Sequence, residues 1–180
     1  MKRFIALLAA IAVAVTFISF GRNANADSAA SPESPASSAQ NAPTAGDKIL
    51  VAYFTAAENS GVDAVSSASY TTVNGESIGT VRAIADVIAV RTGGDLFSIR
   101  TSDVYPTDRE ALIEYASEEQ TGNARPELIT EIDNLSQYGT IFVGYPIWWY
   151  DMPQVMYSFF DAYDFTGKTV IPFATHNGSG

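Results

Sequence analysis

The sequence predicts an α/β domain, residues 48–180, built on a parallel sheet wound on both faces. Two observations carry that expectation. Short unbroken apolar runs recur, with the length and composition of strands buried on both sides. Between them lie stretches in which apolar residues return at helical spacing. Strands that alternate with helices pair in parallel, through crossover connections.

The elements follow in chain order. Ile49-Leu50-Val51-Ala52-Tyr53-Phe54 is the first strand, and Thr55 to Gly79 reads as a polar stretch. Val81, Ile84, Ala85 and Ile88 mark a helix that Gly93-Gly94 ends. Leu96-Phe97-Ser98-Ile99 is the second strand. Thr107-Asp108-Arg109-Glu110 has the spacing of a capping box and opens a helix through about Glu118. Thr140 to Gly144 is the third strand, Pro153 to Tyr163 a further helix, and Thr169 to Ala174 the fourth strand. No internal repeat is apparent.

Two segments of other composition precede the domain. In residues 1–26, Lys2 and Arg3 lead an uncharged run from Phe4 to Phe20, followed by Ala24-Asn25-Ala26. That order of positive, apolar and small-x-small regions is a secretory signal, with cleavage expected after Ala26. As a helix the run spans roughly 25 Å, slightly short of a bilayer core. An uncleaved anchor is the competing reading, and the cleavage site argues against it. Residues 27–47 are rich in Ser, Ala and Pro with no bulky apolar residue, the composition of a disordered linker. The expected location is secreted or cell-surface, with no stable membrane insertion after cleavage.

Composition narrows the chemistry. The chain has no cysteine, which excludes disulfides, thiolate metal sites and dithiol redox chemistry. A single histidine, His176, excludes a multi-histidine metal site. Three of the ten basic residues lie in the leader, so the remainder carries 7 basic against 20 acidic residues, a net −13. Such a body repels nucleic acid and suits cationic partners or plain solubility. Neither a Walker A pattern nor G-x-G-x-x-G is present.

In sheets of this kind ligands bind beyond the carboxyl ends of the strands. The loops after Phe54, Gly144 and Ala174 are therefore the ones that bear on function. The first offers Thr55, Ala56, Glu58, Asn59, Ser60 and Gly61, and later Gly79-Thr80 at a helix start. Small and hydroxyl residues there let backbone N–H groups and a helix terminus hold an anion. The second is Gly144-Tyr145-Pro146-Ile147-Trp148-Trp149-Tyr150-Asp151-Met152-Pro153. Two adjacent tryptophans cannot both point into one core, so one ring faces solvent or a ligand. A wall of that kind suits a flat ring system, and a sugar ring equally. The third, Thr175-His176-Asn177-Gly178-Ser179-Gly180, has the glycines that close backbone approach requires.

The segments Lys48–Phe54, Gly93–Phe97, Arg125–Leu128, Gly144–Pro153 and Gly167–Gly180 resemble those of flavodoxin-like proteins, especially an exported bacterial group. The most specific matches are Gly144-Tyr145-Pro146-Ile147-Trp148-Trp149 and Ala174-Thr175-His176. The resemblance implies a doubly wound flavodoxin-like sheet in the order 2-1-3-4, with the fifth strand and last helix missing. It implies FMN as cofactor, with the phosphate at Thr55, Ala56, Glu58, Asn59, Gly79 and Thr80. The isoalloxazine would pack on Pro146, Ile147, Trp148 and Trp149, with Thr175, His176 and Gly178 on its other side. No acid, base or nucleophile is implied, nor any metal; the flavin performs the chemistry. The long separation of Thr55 from Thr80 departs from the tight phosphate loop usual in the family. The function expected is electron transfer to a redox partner protein or a small-molecule acceptor. A flavin-dependent quinone or nitro-group reductase on the same fold, and a non-flavin binding module built on the Trp148-Trp149 loop, stand as alternatives.

Overall fold

The computed structural model describes residues 46–60 and 69–178. The leader and all but the last two residues of the linker lie outside them.

Strand β1 (Lys48–Tyr53) lies at the centre, between β4 (Asp95–Ser98) and β5 (Tyr138–Pro146), and β6 (Thr169–Thr175) pairs with the other side of β5. All pairings in this sheet are parallel, in the order β4-β1-β5-β6. This is the expected order of the four strands read from the sequence.

The apolar run of β1 explains its central place. Leu50 and Ala52 face one layer, Val51 and Tyr53 the other, and all four are buried. Helix α2 (Thr80–Thr92) covers one face with Val81, Ala85 and Ala89. Helices α3 (Arg109–Thr121) and α4 (Gln154–Ala162) cover the other with Leu112, Val155, Met156 and Phe159. Fully burying each of the larger of these side chains, Val81, Leu112, Val155, Met156 and Phe159, contributes about 1.5–3 kcal/mol. Gly93, at a φ of 70°, ends α2 and donates its N–H to Ala89 O.

Three details differ from the sequence reading. The polar stretch from Thr55 holds a five-residue helix α1 (Ala56–Ser60) and an antiparallel hairpin, β2 (Tyr70–Val73) with β3 (Glu76–Gly79). Its turn is Asn74-Gly75, with φ of 53° and 86°, a two-residue type I′ connection. The cap of α3 is Asp108 rather than Thr107; its carboxylate accepts from the N–H groups of Glu110 and Ala111, and the helix runs on to Thr121. Strand β5 is also longer than Thr140–Gly144 at both ends: Tyr138 at its start is buried against the core, and Tyr145 and Pro146 pair with Ala174 and Thr175 of β6.

Candidate functional site at the strand ends

The connection leaving β1 leads to β4, and the one leaving β5 leads to β6, on the opposite side. The winding therefore reverses between β1 and β5, and in sheets of this kind a ligand crevice lies beyond the carboxyl ends at that point. Backbone bonds knit that edge together. Phe54 N–H donates to Gly144 O at 2.9 Å, Ile99 N–H to Tyr53 O at 2.8 Å, and Ile147 N–H to Thr175 O at 2.8 Å. Thr55, the Ile147 loop and Thr175 thus emerge side by side, as expected. In a crossover unit the helix runs against the strands, so Gly79 and Thr80 start α2 at this same edge.

The first loop has its side chains turned inward. The Glu58 carboxylate accepts from Tyr53 Oη at 2.9 Å and from Arg82 Nη1 at 2.9 Å, and it also bonds the Ser98 hydroxyl. Burial, then the charge of Glu58, pushes the Tyr53 phenol up to about 12. Arg82 is further held by Asp86 at 2.7 Å. Asn59 donates to Thr55 O at 2.9 Å and accepts from Thr101 N–H at 2.8 Å, tying this loop to the one after β4. Glu58 and Asn59 shape the loop through these bonds, and its buried start is Thr55 and Ala56.

Two hydroxyls behave differently. Among the described residues three hydroxyls are buried with no hydrogen-bond partner: Ser158 Oγ on α4, and Thr80 Oγ1 and Thr175 Oγ1, which are the two at this edge. Thr80 opens a helix whose N-cap, Gly79, supplies no side-chain bond. Thr80 N–H is taken by Ser69 O at 2.9 Å, so that end of α2 presents the positive potential of its following turn together with an unsatisfied hydroxyl. His176 and Gly178 are exposed beyond Thr175, and Gly178 N–H reaches His176 Nδ1 at 3.3 Å.

The aromatic loop divides its two tryptophans. Pro146 is buried and Ile147 half-buried. Trp148 packs edge-on against Phe54 and Tyr105, at 5.6 and 5.5 Å between ring centroids. Trp149 is 45% exposed, and its indole N–H donates to Ile113 O on α3 at 2.9 Å. Trp148 and Asp151 exchange backbone bonds of 2.8 and 3.0 Å around Trp149 and Tyr150, whose φ values are 49° and 64°. Two bulky residues thus occupy a turn that favours Asn-Gly, at a cost of roughly 1–2 kcal/mol each. Tyr150 is 81% exposed.

Beneath this loop sits a carboxylate that the sequence reading did not single out. Glu119 on α3 is 8% exposed, with Oε2 unpartnered and Oε1 only 3.5 Å from Tyr105 Oη. Burial, reinforced by Asp103, raises its pKa to about 7. Among the described residues no group of three or more His, Cys, Asp or Glu is placed to hold a metal ion, and no helix is long and apolar enough to cross a membrane.

The sequence profile of the flavodoxin family matches residues 69–180. The chain belongs to the flavodoxin family. Crystal structures of proteins assigned as flavoproteins from Bacteroides uniformis and Bacteroides eggerthii are 32% and 31% identical to it. Each match covers 74% of this chain, with 75% and 74% of the respective partner and a TM-score of 0.58. A Lactobacillus acidophilus flavoprotein, crystallised in complex with FMN, shares the fold at 18% identity. Its TM-score is 0.57, over 74% of this chain and 77% of that one. No curated protein matches the chain significantly. Against this background the β2–β3 hairpin stands between the two elements expected at the phosphate, which accounts for the distance in sequence between Thr55 and Thr80.

Proposed function

We propose that this flavodoxin binds FMN at the β1–β5 crevice and carries electrons outside the cytoplasm. The observation that carries the reading is the pair of buried, unpartnered hydroxyls, Thr80 and Thr175, at the strand-end edge. A buried hydroxyl without a partner costs about 1–3 kcal/mol, a cost that a ligand with several acceptors would offset. The uncapped start of α2 suits a phosphate by the same logic. Thr55, Ala56, Gly79 and Thr80 would hold that phosphate, with Asn59 fixing the loop and the Arg82 pair neutralising Glu58 beside it. Pro146, Ile147, Trp148 and Trp149 would line one side of the flavin ring, and Thr175, His176 and Gly178 the other. FMN, when bound, supplies one- and two-electron transfer; the protein orients the ring, excludes water and surrounds it with acidic charge. The acceptor is a redox partner protein or a small molecule.

Thr80→Val tests the reading, because stability and affinity move in opposite directions. The variant removes the orphaned hydroxyl, so urea unfolding of ligand-free protein should show it more stable by about 1 kcal/mol. FMN titration followed by flavin fluorescence should show it several-fold weaker, with backbone donors keeping part of the phosphate contact. Wild-type protein that leaves FMN fluorescence unchanged at micromolar concentration would overturn the proposal. Steady turnover with a nicotinamide donor would move it from carrier to reductase. Export is proposed from the leader, and N-terminal sequencing should find Asp27 first; intact leader in a membrane fraction would refute it.

A further inference from the structure

The turn that carries Trp149 and Tyr150 is held from two helices. On the α3 side, Trp149 donates to Ile113 O, and Gln120 Nε2 reaches Trp149 O at 3.4 Å. On the α4 side the contact runs through Asp151. One carboxylate oxygen accepts from Met152 N–H at 2.8 Å, and the other from Tyr157 Oη at 2.8 Å. Tyr157 is itself fixed from behind. The Arg125 guanidinium lies over its ring at 4.9 Å while binding Asp161 Oδ2 at 2.8 Å and Gln154 Oε1 at 3.2 Å. Arg125 thereby spans residues 154, 157 and 161, one face of α4.

We propose that Tyr157, backed by Arg125 and bonded to Asp151, is a latch that holds the Trp148–Asp151 turn in its left-handed conformation and so positions its aromatic rings for the ligand. The proposal rests in part on the flavin reading, and three facts support it. Trp149 and Tyr150 both sit at positive φ, a conformation their own side chains disfavour. Such a conformation persists only where surrounding bonds over-determine it. The Tyr157–Asp151 bond is a charge-assisted one at the residue that closes the turn, which is where a restraint controls both left-handed positions. The ring partners of Trp148 are Phe54 and Tyr105, and Tyr157 reaches the turn through Asp151, so its role is positioning. This also gives Arg125, which the sequence analysis marked without assigning a task, a place in the site.

Tyr157→Phe removes the latch and keeps the ring over which Arg125 sits. In ligand-free protein, hydrogen exchange of the Trp148 and Asp151 amides should speed up about tenfold or more, the value of one bond to a charged group. Amides of β1 and β5 should keep their rates. Asp151→Asn, which preserves an acceptor, should give an intermediate acceleration. With FMN added, Tyr157→Phe should bind more weakly and alter the visible circular dichroism of the bound flavin. Adding Tyr150→Gly makes a left-handed residue cheap, so Tyr157→Phe should then cost less affinity than it does alone. Unchanged turn amides in Tyr157→Phe would overturn the latch whatever the ligand. Faster amides with unaltered FMN affinity and dichroism would overturn its positioning role. If wild-type protein binds no FMN, the flavin reading fails, and the latch stands or falls on the amide rates alone.

Discussion

Glu119→Gln should make this protein more stable at neutral pH, by an amount that grows as pH rises. The carboxylate is buried, one oxygen lacks a partner, and Asp103 adds like charge, so its pKa rises from 4.5 to about 7 on folding. A group whose pKa is raised on folding contributes stability that is complete below its unfolded value. That stability is lost as pH climbs through the folded value. At 1.36 kcal/mol per tenfold change in proton affinity, the loss totals about 3 kcal/mol, of which about 2.5 kcal/mol falls between pH 5 and 8.5. Glutamine reproduces the neutral acid in shape and cannot ionise, so the variant lacks this slope. Urea unfolding of both proteins, in half-unit steps from pH 5 to 8.5, measures the difference directly. Starting at pH 5 avoids the isoelectric region near 4.3, where association would intrude. The other carboxylates titrate alike in both proteins and cancel. The gap in unfolding free energy should widen by about 2.5 kcal/mol across the range, with the variant on top. A gap constant to within about 0.5 kcal/mol would refute the claim that Glu119 ionises inside the fold.

Two further predictions concern packing and local structure. Gly144 lies opposite Phe173 in the β5–β6 register, and a methyl group there would run into the Phe173 ring. Gly144→Ala should therefore destabilise the protein by about 1–3 kcal/mol in a thermal or urea melt, and Phe173→Leu should recover part of the loss. Asp108→Ala removes both cap bonds of α3 and should cost about 1 kcal/mol in the same assay; no change would show that the helix start is held by its packing alone.

What the sequence revealed depended on whether local pattern and tertiary environment agreed. The β1 run was legible because a strand buried on both faces must be apolar throughout, and Leu50 to Phe54 is. The β2–β3 hairpin was missed although its signal was present. Asn74-Gly75 between two short runs is a strong mark of a type I′ turn, yet Tyr70 and Val73 are exposed and the strands carry little apolar alternation. Burial of Glu119 was also readable in principle, since residues 112, 116 and 119 share one helical stripe and all three are buried. Three consecutive polar side chains at 118–120 obscured it. The left-handed Trp149 and Tyr150 had no local signal at all. Their conformation opposes their own propensity and comes from bonds to α3 and α4, more than thirty residues away in the case of Ile113. Of the predicted site residues, Thr55, Pro146 and Thr175 could be placed from the strand-end rule alone. The inward commitment of Glu58 required Arg82, on a helix whose register the sequence did not tie to that loop.

The hairpin also makes part of this protein exchangeable. Its two ends meet, because Thr80 N–H bonds Ser69 O at 2.9 Å, so the backbone enters and leaves the insert at nearly one point. Strand β3 touches α1, and both hairpin strands touch α2, so the part of the insert that can change length freely is its exposed tip at Asn74-Gly75. Loop-closure entropy adds only about 0.6 kcal/mol for each doubling of length. The hairpin tip is therefore a place where the chain can be lengthened. An epitope, a fluorophore site or a tethering sequence placed at Asn74-Gly75 would be displayed outside the four-stranded sheet. A chain of this fold could acquire a new contact surface here by changing only the few residues of the turn.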